Sequence, residues 1–161
     1  MMSKFLFAIV FLALASVGSA EPLAQMAGVW SGSGWARETK SGPKEALRCR
    51  LSNTFDAGVL TISGRCAVPS RKIALAGELR STKNSERITG HWFNPDGLGS
   101  VSIVGVQRGD AVAFTFRAKD PKTQAEVAHN VEWRVTGDSL RMRSNDRAEP
   151  SIAMSDVTFI R

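Results

Sequence analysis

Tyrosine is absent from this 161-residue chain, histidine and cysteine occur twice each, and no uninterrupted apolar run exceeds eleven residues. Each shortage closes a class of function. A structural zinc site wants about four ligands, which two cysteines do not supply. Nucleophilic catalysis needs a nucleophile, a base and an orienting group. No Ser-His-Asp or Cys-His arrangement is legible, and the carboxylates are spread singly, so no enzyme is expected. An outer-membrane barrel carries aromatic girdles at both interfaces. A chain without tyrosine and with 7% aromatics does not build them. A helical bilayer span needs roughly 20 apolar residues, so no span is expected in residues 21–161.

The eleven-residue run, Phe5–Ala15, follows Lys4 and precedes Gly18-Ser19-Ala20. A positive start, a short apolar stretch and small residues before Glu21 are the pattern of a cleavable secretory signal. Residues 1–20 are read as that signal and 21–161 as one domain, periplasmic or secreted. No cysteine directly follows the run, which argues against a lipid anchor. The net charge is +6, and Lys4 is the only charge within the leader. A basic excess suits anionic surfaces. Arginine and lysine are nevertheless scattered along the chain, which predicts a diffusely solvated basic face, and export argues against a nucleic-acid partner.

Residues 21–161 show short runs of period-two alternation separated by glycine and polar clusters. Strands are predicted over 28–37, 45–55, 59–68, 71–81, 86–93, 98–107, 111–118, 126–136, 139–145 and 152–160. Only 21–27 hints at a helical turn. Short connections favour antiparallel neighbours. Eight to ten such strands would expose two edges unless the sheet closes. The predicted fold is therefore all-β, a single antiparallel up-and-down β-barrel of 8–10 strands. Inward rows follow from parity: Leu47, Cys49, Leu51; Leu60, Ile62, Cys66, Val68; Ile73, Leu75, Leu79; Ile88, Trp92; Val112, Phe114, Phe116; Val127, His129, Val131, Trp133, Val135; Leu140, Met142; Val157, Phe159. The opposite parity carries mostly arginine, lysine and glutamate.

Turn chemistry tests that parity. A two-residue turn at Ala57-Gly58 sets Asp56 against Val59 and, counting outward, Cys49 against Cys66. Both cysteines already share the inward face. Directly opposed residues of an antiparallel pair lie within disulfide reach, and an exported protein oxidises such a pair. Gly137-Asp138 as a turn likewise opposes Trp133 to Met142. Asn94-Pro95-Asp96-Gly97 is a further turn signal. Arg108-Gly109-Asp110 matches an adhesion tripeptide but reads more simply as a hairpin tip.

Gly28-Val29-Trp30 on the first strand and the terminal Val157-Thr158-Phe159-Ile160-Arg161 together resemble the calycin pattern of lipocalins and avidin-like barrels. The string Gly28–Gly34 also resembles the opening of nitrobindin-type haem barrels, and the remaining chain resembles an exported bacterial family. The resemblance implies that Trp30 plugs a barrel floor beneath the guanidinium of Arg161. A nitrobindin-type barrel would also need a haem-ligating histidine near the chain end, and none follows His129. No cofactor is therefore expected, haem being the one alternative.

The candidate ligand-binding set is Trp92, Trp133, Phe114, Phe116 and Met142, with His129 as its polar contact. These residues either line a pocket for a small apolar molecule or simply fill the core. In the second case the protein would serve as a non-catalytic interaction or inhibitor protein for an envelope component, through the loops 38–44, 94–99 and 118–125.

Overall fold

In a computed structural model, residues 21–161 are described except 83–84 and 95–97. Residues 1–20, read from the sequence as a signal, and most of the Asn94–Gly97 turn lie outside the described residues. Ten strands follow one short helix, α1 (Pro22–Gln25). They are β1 (Gly28–Ala36), β2 (Glu45–Asp56), β3 (Val59–Val68), β4 (Arg71–Ser81) and β5 (Arg87–Asn94), then β6 (Gly99–Arg108), β7 (Ala111–Lys119), β8 (Glu126–Thr136), β9 (Ser139–Asp146) and β10 (Ala153–Ile160). Every strand pairs antiparallel with its chain neighbour, and β1 pairs with β10 to close the barrel. Each boundary falls within one residue of the sequence expectation. No helix of the described residues is long and apolar enough to cross a membrane.

The β2–β3 hairpin shows why the register holds. Ala57 and Gly58 both have positive φ, 46° and 80°, the backbone of a tight turn whose twist matches the flanking strands. Asp56 then opposes Val59, and Cys49 opposes Cys66. The two cysteines form a disulfide across a Cα separation of 4.0 Å. The β8–β9 turn likewise opposes Trp133 to Met142. A one-residue slip in either hairpin would turn every apolar side chain to water.

Barrel width grows with strand number, and eight strands already leave just enough room for side chains. Ten enclose more, and the extra volume is filled from one end. There α1 forms a plug. Pro22 starts it without wasting a backbone donor, and Leu23, Met26 and Trp30 are fully buried. The Met26 carbonyl accepts from both Trp30 Nε1 and Asn53 Nδ2, at 3.0 Å each. Arg161 lies over the Trp30 ring, 4.5 Å from its centroid, and donates to the Gln25 carbonyl. Above this floor Phe159 occupies the space that Gly32 leaves; a Cβ there would stand 2.3 Å from the Phe159 ring. Phe159 stacks on Trp133 at 6.0 Å, and Trp133 meets Trp92 at 6.4 Å.

The β6 wall, for which parity gave no row, buries Val101, Ile103 and Gln107 and leaves Val104 and Val106 exposed. At the β6–β7 turn Arg108 pairs with Glu86 and Asp110 with Arg134. Both charged members of the tripeptide are thus engaged within the chain.

Candidate functional site: an apolar cavity at the open end

The end opposite α1 is where β1, β3, β5, β7 and β9 finish and their partners begin. A cavity of about 230 Å³ lies there. Its wall contains Trp92, Trp133, Phe114, Phe116, Met142 and His129 together. The single inward parity of their strands places them, because residues at one height on neighbouring strands converge on the axis. The pairings Phe114–Val131, Phe116–His129 and Trp133–Met142 stack three rungs along one side. Ile73 and Leu75 of β4 face them. Trp133 is 1% exposed and closes the base, whereas Trp92, Phe116, Met142, Ile73 and Leu75 are half-buried at the mouth.

Four polar features interrupt the apolar wall. Ser144 and Ser155 are buried and share a hydrogen bond of 2.6 Å. His129 is half-buried against the Phe116 ring, 5.2 Å between centroids. Burial pushes its imidazole below the ordinary 6.5, opposed by the Asp146 carboxylate on the facing strand, so it is neutral at pH 7. Asp146 stays ionised, held below its usual range by the Glu149 backbone N–H and the ammonium of Lys40. Two donors in the wall, Trp133 Nε1 and Arg37 Nε, are buried without a hydrogen-bond partner among the described residues. Arg37 anchors itself by donating from Nη1 to the Lys40 carbonyl at 3.0 Å.

An unpaired buried donor costs about 1–3 kcal/mol, and native interiors hold few. Two of them in one cavity wall mark a place where an acceptor from outside the chain would be stabilised. The scale of the space restricts what brings it. A dry cavity of roughly 150 Å³ holds benzene, and drug-sized ligands need about 300–1,000 Å³. The volume therefore fits a molecule of one or two rings or a short branched chain. A porphyrin is larger than this volume. No group of three or more metal-ligating side chains gathers among the described residues.

Sequence parity carried enough signal to find Ser144, which continues the row of Leu140 and Met142, and Ser155, which continues that of Val157 and Phe159. Arg37 was missed because the expected strand 28–37 gave it the outward parity, opposite to that of Trp30, whereas it sits one residue beyond β1, where the chain leaves the sheet. His91 is exposed on the outer wall.

No protein-family model matches this chain, and no curated protein is similar to it at a significant level.

Proposed function

We propose that the chain is an exported, non-catalytic binding protein whose barrel mouth holds one small, mainly apolar molecule carrying a hydrogen-bond acceptor. The observation that carries this reading is an apolar cavity with a buried, unpartnered indole N–H in its wall. Trp30, in the sealed floor, instead donates its indole N–H to the Met26 carbonyl. The Cys49–Cys66 disulfide and the leader-like residues 1–20 support a periplasmic or secreted setting.

Acetophenone and ethylbenzene have nearly one shape and differ in a carbonyl acceptor, so their titration tests the reading. Both should bind. The preference for acetophenone should shrink about three- to tenfold in Trp133→Phe, the worth of one net hydrogen bond. Failure of both to bind would overturn the proposal. It would favour the second reading, in which the exposed connections around the mouth, 38–44 and 120–125 among them, recognise an envelope component.

A further inference from the structure

Four of the basic residues scattered through the sequence come together on the surface. On the outer wall β2 presents Arg48 and Arg50, β3 presents Arg65, and β4 presents Lys72, all exposed. The register sets Arg50 directly opposite Arg65, and Arg48 and Lys72 on either side of Ala67. Elsewhere on the wall Arg80, Arg134 and Arg141 are matched by Glu78, Asp110 and Asp156. These four cations make no ion pair among the described residues. Like charges directly opposed across two strands are destabilising. The Cys49–Cys66 bond lies behind them and fixes that register.

The same face carries two aliphatic side chains in water. Val29 is 70% exposed and Ile160 61% exposed. Ser31 stands beside both, opposite Arg50 on one side and Ile160 on the other. Ser33 opposes Arg48, and Ser52 opposes Ser63, so hydroxyls fill the rest of a shallow groove of about 810 Å³. No carboxylate of the described residues lines this groove.

We propose that this strip, Arg48, Arg50, Arg65 and Lys72 flanked by Val29 and Ile160, docks the barrel side-on against an anionic lipid bilayer. Cations at a membrane surface are drawn to its phosphates and fall off within a Debye length. Exposed aliphatics beside them gain by entering the headgroup boundary. A soluble polyanion would use the cations and give Val29 and Ile160 no role, and that difference selects the bilayer.

Co-sedimentation with vesicles of phosphatidylcholine containing phosphatidylglycerol tests the proposal, with dextran sulfate as the soluble comparison. The protein should bind the mixed vesicles at low ionic strength, release on adding salt, and ignore pure phosphatidylcholine. Arg50→Gln with Arg65→Gln should weaken vesicle binding roughly thirtyfold while far-UV dichroism shows the barrel intact. Arg134→Gln, an ion-paired position on β8 across the barrel from the strip, should change it by less than about twofold. Val29→Ser should weaken binding to vesicles and not to dextran sulfate. Vesicle binding unaltered in the folded double variant, or no binding by the wild type, would overturn the proposal. So would a Val29→Ser protein that sediments with vesicles like the wild type, which would assign the strip to a soluble polyanion.

Discussion

Trp133 shows how a single atom separates two readings of one residue. Its ring serves the core, stacked on Phe159, while its N–H has no partner among the described residues. Parity placed the residue inward and had no means of counting its hydrogen bonds, so the distinction between lining and filler was invisible in the sequence. His129 carries a pH consequence. Its folded-state affinity for a proton is depressed below the ordinary 6.5, so the unfolded chain binds that proton more readily. The corresponding stability is present above pH 6.5 and is lost as the pH falls through that value toward the lower folded one. Thermal melts between about pH 7 and pH 5 should show the midpoint falling, and His129→Gln should flatten that part of the profile. Asp146 stays ionised over this range and does not contribute to it.

At the scale of elements, the β2–β3 hairpin is the part most fully written in the sequence. A turn count and a parity count agree on Cys49 opposite Cys66, and the bond is there. With the cysteines 17 positions apart in sequence, Cys49→Ala with Cys66→Ala should lower stability by about 3 kcal/mol, read from the urea midpoint. Free-thiol titration of the unreduced, unfolded protein should find no reactive thiol. Gly32 marks where β1 yields to Phe159, and Gly32→Ala should cost about 1–3 kcal/mol in the same assay through overpacking. Two elements were less legible. On β6 both parities are apolar, with Val101 and Ile103 on one side and Val104 and Val106 on the other, so alternation does not choose a face. Helix α1 has four residues, too few for a helical period to declare itself. Its burial is decided by the Met26 carbonyl meeting Trp30 and Asn53 from two strands.

The described residues form a closed antiparallel barrel of ten strands, consistent with the calycin-like architecture that its two ends resemble. Closure was legible because short connections and two otherwise exposed edges leave few alternatives. Height along the axis was not. Alternation says which side of the wall a residue takes, but not that α1 seals one end while the other stays open. Nor does it show that Arg48, Arg50, Arg65 and Lys72 become neighbours. Those consequences need the register of several strands at once.

A titration of the protein with acetophenone, followed through the indole N–H resonances of its four tryptophans, tests the open-mouthed barrel most directly. The Trp133 signal should shift furthest, with Trp92 following, while that of Trp30, bonded to the Met26 carbonyl in the floor, stays in place. A Trp133 resonance that does not move with saturating ligand, or one that moves no more than Trp30, would contradict a binding cavity above a sealed floor.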